Sequence, residues 1–250
     1  KMIRASKLKY FGDLMDTTFY GIYVDVDDII KLPNYVTHLK FCWDFNQPFE
    51  IPRSVIHLEF GDDFNQSINI PQNVTYLKFG RSFDQPINIP HNVTHLTFAH
   101  KFNQPIIVPQ NVTYLEFGYW FNQPIIIPQN VTYLKFGYKF NQPINIPQSV
   151  TYLELGKKFN QYITIPYGII SLIHKGKFYK EIILPPNIQI LKLYDDFNEP
   201  IELPAKLKYL KLSSNYTFPV NFPDSLEILE ISKNYKFPPK NSGKIEIKYI

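Results

Sequence analysis

The sequence predicts a β-rich solenoid with parallel, in-register strands, one coil per 19-residue repeat and little α-helix. Three observations carry this. From Val36 the same apolar place returns at Val55, Val74, Val93, Val112, Val131, Val150, Ile169, Ile188, Leu207 and Leu226, eleven units with no insertion. A fixed period of this size marks a repeat architecture. Nineteen residues cannot hold a strand, a helix of two or more turns and two connections, so each unit is nearly all extended chain and corners. Each unit also contains a segment such as "VTYLKF", β-branched and aromatic with alternation from Leu to Phe, which reads as a strand.

Unit 93–111, "VTHLTFAHKFNQPIIVPQN", shows the layout: an apolar first place, Leu at the fourth and an apolar residue at the sixth. The tenth place is aromatic in all eleven units, from Phe45 to Tyr235, and the seventeenth is Pro in ten, from Pro52 to Pro223. The strand comes first in each unit. The Gly that follows it (Gly61, Gly80, Gly118, Gly137, Gly156) predicts a tight corner or a close backbone approach. Pro cannot donate to a ladder, so it closes the second extended segment, "INIP", before the next corner. A single coil cannot bury its Leu, Phe and Ile, but stacked neighbours can.

The chain is expected to be one repeat domain over 1–250. Residues 1–35 supply an N-terminal cap and a degenerate repeat. Eleven repeats fill 36–235, the last running on to 244, and 236–250 forms a C-terminal cap strand. The degenerate unit "TTFYGIYVDVDDIIKLPNY" (17–35) keeps Tyr20, Ile22, Ile30, Leu32 and Pro33 in register. After Tyr235 the register breaks, and "KIEIKYI" reads as a last alternating strand. For residues 1–16 the pattern leaves both a helix and an edge strand open.

Composition bounds the function. Across 250 residues, 44% apolar and 19% charged content belongs to a folded chain, and a net charge of +4 does not by itself announce nucleic acid. No apolar run reaches the ~18 residues of a membrane span, and the opening "KMIRASKLKY" shows no secretory leader. Cys42 is the single cysteine, which points to a reducing compartment, so a cytoplasmic location is expected. The sequons Asn65, Asn73, Asn92, Asn111, Asn130 and Asn215 point the other way. Four of them are one repeat place, "NVT", and read as a repeated turn-to-strand junction rather than as glycan sites.

Stacking in register turns each place into a row of side chains. The Leu row (Leu39 to Leu153) and the tenth-place Phe row are core, and the Asn row (Asn46, Asn65, Asn103, Asn122, Asn141, Asn160, Asn198) is expected to hydrogen-bond the backbone of adjacent turns. Two rows are expected to face outward. The fifth place (Lys40, Glu59, Lys78, Thr97, Glu116, Lys135, Glu154, then Lys192, Lys211, Glu230) mostly alternates in sign and reads as structural. The third place (His38, His57, Tyr76, His95, Tyr114, Tyr133, Tyr152) is the better contact surface, because aromatic residues with a polar tip anchor interfaces. The seventh to ninth places vary most. Acid at Asp44, Asp62 and Asp63 gives way to Lys101, Tyr119, Trp120, Tyr138, Lys139, Lys157, Lys158, Lys175 and Lys177, and acid returns at Asp195 and Asp196. The candidate partner-binding residues are therefore Tyr114, Tyr133, Tyr152, Tyr119, Trp120, Tyr138, Lys139, Lys157 and Lys158.

No arrangement points to catalysis. His38, His57 and Cys42 lack the further ligands of a metal site, and Asp25, Asp27 and Asp28 in "VDVDD" lack the Gly and distal Glu of a calcium loop. Coil-shaped polysaccharide enzymes gather several carboxylates in one cleft, whereas acids here are scattered or paired with lysine. Ice-binding solenoids need two Thr rows on a flat face, and the row from Thr37 to Thr151 is single. No enzyme activity, metal or cofactor is expected.

The spacing V-x-x-L-x-F resembles the L-x-x-L-x-L strand of leucine-rich repeats. The recurring "FNQPINIP" with "VTYLKFG" resembles the FNIP repeat family over about 17–235. That family is a leucine-rich-repeat relative of social amoebae and of giant viruses that infect amoebae. The resemblance implies a curved solenoid whose parallel sheet lines its concave side. Some members carry an F-box ahead of the repeats and look like substrate receptors for ubiquitin ligases; the first 16 residues here are too short to hold one. The expected function is a non-enzymatic scaffold that binds a partner protein on its concave face and variable edge. It would act as a ubiquitin-ligase substrate receptor or a module that sequesters a host protein, in the host cytoplasm if the source is viral. A virion-surface or extracellular adhesion module is the alternative. Nucleic acid and membrane are not expected partners.

Overall fold

The computed structural model describes residues 8–10, 21–24, 32, 34–176, 183–194, 197–239 and 244–250. The chain forms two units, Lys1–Pro128 and Gln129–Ile250. The first carries β1 (Leu8–Tyr10), β2 (Gly21–Val24), β3 (His38–Phe41), β4 (His57–Glu59), β5 (Tyr76–Phe79), β6 (His95–Phe98) and β7 (Tyr114–Phe117). The second carries β8 (Tyr133–Lys135), β9 (Tyr152–Leu155), β10 (Ser171–His174), β11 (Ile190–Leu193), β12 (Tyr209–Lys211), β13 (Ile228–Ile231) and β14 (Glu246–Tyr249). Successive strands pair in parallel within each unit, β2 to β7 and β8 to β14. No α-helix occurs among the described residues. Each unit is therefore a parallel β-solenoid.

A register of 19 makes every place meet itself: Leu39 faces Leu58, Leu96 faces Leu115 and Leu134 faces Leu153. Two kinds of hydrogen-bonded turn recur along the coils, the second in only some of them. The first-place N–H bonds the Pro carbonyl three residues earlier, as in Val74 to Pro71 and Val93 to Pro90, both 3.1 Å. Proline thus opens this turn with its carbonyl and never needs the N–H it lacks. The tenth-place N–H closes the second turn on the seventh-place carbonyl, as in Phe159 to Gly156 at 3.2 Å. Of the two readings of the post-strand glycine, close approach holds: a Cβ on Gly80 would lie 2.0 Å from the Gly61 carbonyl oxygen.

The ends depart from the period. Ile22 pairs with Leu39 and Val24 with Phe41, a spacing of 17, so the degenerate unit is shifted by two residues from the expected alignment of Ile22 with Phe41. An even shift preserves the two-residue alternation of a strand, which is why a weakened repeat can adopt it. β1 lies antiparallel to β2, an edge strand. At the other end Ile228 pairs with Glu246, a spacing of 18. Tyr20, Ile30, Pro33 and the acidic run at Asp25, Asp27 and Asp28 lie outside the described residues.

The core is a set of rows. First-place Val and fourth-place Leu are fully buried, and sixth- and tenth-place Phe rings stack along the coil axis in the first unit: Phe79 on Phe98 at 5.2 Å, Phe64 on Phe83 at 6.1 Å. In the second unit Phe136 is followed at the sixth place by Leu155, His174, Leu193, Leu212 and Ile231, all buried. Tyr216 continues the tenth-place row, stacked on Phe197 at 5.8 Å, but its buried hydroxyl has no hydrogen-bond partner among the described residues. Removing that hydroxyl removes a desolvation cost. Tyr216→Phe is therefore expected to raise stability by about 1 kcal/mol, read from thermal melts; a lower melting temperature would contradict this.

The Asn row is a ladder of side-chain acceptors. Asn46 Oδ1 accepts the Asn65 N–H at 2.9 Å, Asn103 Oδ1 the Asn122 N–H at 2.8 Å, and Asn141 Oδ1 the Asn160 N–H at 3.0 Å. Gln side chains one place on reinforce it, as Gln66 donates to Asn46 Oδ1 at 3.1 Å. Asp84 stands in the same row and accepts the Asn103 N–H at 2.9 Å, so the place requires an acceptor and not an amide. Asn103→Ala should accordingly cost about 1 kcal/mol by stranding the Asn122 N–H, while Asn103→Asp should stay within about 0.5 kcal/mol of the parent in denaturant titration. Equal losses for both would refute the ladder. The "NVT" places form a second ladder. Asn73 Nδ2 donates to the Arg53 carbonyl and Asn92 Nδ2 to the Gln72 carbonyl, both at 2.8 Å, and Thr94 Oγ1 donates to the Thr75 carbonyl at 3.2 Å. These sequons are junction residues of the scaffold.

Candidate functional site

The core rows stay buried from coil to coil, and exposed side chains that differ between coils stand on the strand face and at the corner after it. The third-place residues, spaced one strand apart, stack instead of standing free. In the first unit the rings run His38–His57 (5.1 Å), His57–Tyr76 (3.9 Å), Tyr76–His95 (5.7 Å) and His95–Tyr114 (5.3 Å). In the second, Tyr133 stacks on Tyr152 at 4.2 Å and 7°. Face-to-face packing leaves mainly ring edges to solvent. Their polar tips turn sideways to the fifth-place carboxylates two residues on, since residues i and i+2 share a strand face. Tyr114 donates to Glu116 at 3.0 Å, Tyr152 to Glu154 at 2.9 Å, and His57 Nε2 to Glu59 at 2.9 Å.

The fifth-place row alternates in charge and pairs along the sheet: Lys40 with Glu59 at 3.2 Å, and Lys211 with Glu230 at 2.8 Å. The hydrogen bond from His57, aided by Lys40 and opposed by burial, holds the Glu59 carboxyl down at about 2, against an ordinary value of 4.5. A carboxyl depressed in the folded state stabilises the fold above its unfolded value, and that stabilisation fades as pH falls from about 4.5 towards 2. Glu59→Gln should therefore flatten the acid limb of the stability profile in this window. An unchanged limb would mean that the pair contributes nothing.

The expected solvent-facing fifth-place row is at least partly exposed from Lys40 to Lys135 and from Lys192 to Glu230, but Glu154 departs from it at only 6% exposed. Lys175, from the corner of the next coil, folds across and meets it at 2.6 Å, while Tyr152 covers the other side. A long flexible stem can cap a neighbouring carboxylate in this way, which an alternating pattern does not disclose.

The variable corners hold the remaining candidates. In the first unit Tyr119 stacks on His100 at 4.9 Å and tilts against Trp120 at 5.5 Å. Trp120 is 46% exposed and Trp43, near the other end of that unit, 67%. In the second unit Tyr138 lies between Lys139 and Lys158, whose ammonium groups are 5.8 and 5.9 Å from the ring centre. Lys157 and Lys158 are exposed. The structure thus joins Tyr119 with Trp120, Tyr133 with Tyr152, and Tyr138 with Lys139 and Lys158, while Tyr114 belongs to the His/Tyr stack of the first unit. Lys177, Asp195 and Asp196 lie outside the described residues.

Sequence reasoning missed a second group in the second unit. Lys192 lies over the Tyr209 ring at 4.8 Å, and Lys211 and Lys175 approach the Tyr194 ring at 5.2 and 6.0 Å. Its signal was present: Lys192 and Lys211 are adjacent like charges in a row that otherwise alternates, and Ser171 interrupts the aromatic third place.

Among the described residues no three His, Cys, Asp or Glu side chains converge as metal ligands; His38 and His57 are instead stacked on each other, and Cys42 is buried. No helix among them is long and apolar enough to cross a membrane.

The FNIP Repeat family model matches residues 27–63, 45–70, 64–101, 102–139, 121–158, 140–173 and 177–215. Among solved structures, the chain resembles CroV588, a giant-virus protein described as a novel circular LRR protein, at 27% identity and a TM-score of 0.53. The match covers 89% of this chain and 51% of that one, so the chain spans about half the length of CroV588. No curated protein matches the chain.

Proposed function

The chain belongs to the FNIP-repeat family, and on that premise we propose that it is a non-enzymatic scaffold that captures a partner protein on its strand face and variable corners. The observation that carries this reading is the separation of roles along each coil. Among the described residues places one, four, six and ten are buried in coil after coil, whereas exposed aromatic and basic residues, Trp120, Lys157 and Lys158 among them, occur at the seventh to ninth places that change from coil to coil. Aromatic anchors ringed by polar groups supply interface energy, and a rigid row-built wall loses little entropy on binding. In this role the protein works in the cytoplasm, delivering a bound protein to a ubiquitin ligase or sequestering it.

Pull-down from amoeba cytosol tests the reading, comparing the parent with a Tyr133→Ala, Tyr138→Ala, Lys157→Ala and Lys158→Ala combination whose melting temperature is unchanged. A protein retained by the parent alone supports the scaffold and these residues. Equal recovery removes the residues from the site. Absence of any specific partner favours the adhesion role at a virion or cell surface.

A further inference from the structure

On the strand face of the second unit the aromatic third-place row is broken. After Tyr152 come Ser171 and Ile190, and rings resume at Tyr209. The fifth place drops to Ile173 at the same coil, so β10 carries short, uncharged side chains on this face, with Ser171 and Ile173 each 9% exposed. The row's sign alternation also fails here. Lys192 lies between Ile173 and Lys211 in the sheet, and no carboxylate among the described residues lies within ion-pair distance of it. Lys175 is matched by Glu154 and Lys211 by Glu230, whose field Lys192 shares without an ion pair of its own, so among the described residues the group holds three ammonium groups and two carboxylates. The Lys192 ammonium is held over the Tyr209 ring, whose hydroxyl is itself bonded to Glu230. On the same strand face Ile190, the sheet neighbour of Tyr209, is 36% exposed.

Charge complementarity and the exposed aliphatic side chain fix the occupant. We propose that this face binds an acidic segment of a partner protein, with a carboxylate on Lys192 and an aliphatic side chain on Ile190. The inference rests on the scaffold reading and gives its partner a chemistry. An acceptor bridging towards Lys211 relieves the like-charge contact between neighbouring strands, and the bound carboxylate gains strength from a cation already oriented by a ring.

The test uses the full chain and a short fluorescein-labelled peptide of alternating glutamate, leucine and glycine, followed by anisotropy. A matching peptide with glutamine for glutamate and a labelled DNA duplex serve as comparisons. The expected result is saturable binding of the glutamate peptide alone. Lys192→Ala should weaken it more than about tenfold, Lys192→Arg should retain it, and Lys236→Ala, at an exposed lysine outside this face, should leave it unchanged. Equal binding by Lys192→Ala and the parent, an equal loss in Lys236→Ala, tighter binding of DNA, or no binding of the glutamate peptide would each overturn the proposal. None of these results touches the scaffold reading, which the pull-down decides separately.

Discussion

Replacing Phe98 with alanine is expected to lower stability by about 3–5 kcal/mol, a fall in melting temperature of roughly 6–20 °C. Phe98 is fully buried, and its ring packs against Phe79 at 5.2 Å, Phe102 at 3.8 Å and Phe117 at 5.7 Å, so truncation opens a void in two rows at once. Neither row can collapse into it, because the backbone register on both sides is fixed by strand pairing. Phe98→Leu should cost far less, about 1 kcal/mol, since the second unit builds its sixth-place row from Leu155, Leu193 and Leu212. Calorimetry on both variants checks this. A small effect for alanine would mean that the ring rows do not carry the stability assigned to them.

The second large effect is expected at Gly118. A Cβ there would lie 1.3 Å from the Ala99 carbonyl oxygen and 2.2 Å from its carbon. Both are backbone atoms of the preceding coil, so no side-chain rotation relieves the overlap, and the two coils must part. Gly118→Ala should cost about 3 kcal/mol or more, while Ala99→Gly, at the same place one coil earlier, should cost about 1 kcal/mol through backbone entropy alone. Denaturant titration of the pair separates steric from entropic causes. Equal losses would show that the close approach is relieved by a small local shift.

Much of this molecule could be read from its period. Because 19 residues return every place to its own row, the identities of Leu58, Phe64 and Asn65 determined their neighbours before any coordinates did. Asp84 is instructive: it broke the Asn spelling, yet it keeps the acceptor that the row requires. Periodicity was less informative where the interaction depends on side-chain reach. Nothing in the alternation of Lys135 and Glu154 signalled that Lys175 would fold over Glu154, and the tyrosine row gave no hint that its hydroxyls would be engaged by Glu116 and Glu154. The N-terminal shift was hidden for a different reason. Ile22 and Val24 satisfy the strand alternation in either alignment, so the pattern could not choose between them.

The central claim is that rows shared by all coils hold the fold and that places which change from coil to coil hold the partner. Measuring melting temperature and partner affinity on one panel of variants tests it most directly, with Asn103→Ala and Phe98→Leu from the rows, and Tyr138→Ala, Lys158→Ala and Trp120→Ala from the corners. The account predicts that row variants melt earlier yet bind normally below their transition, while corner variants bind more weakly with the parent's melting temperature. Row variants that fold but fail to bind, or corner variants that melt early, would contradict it.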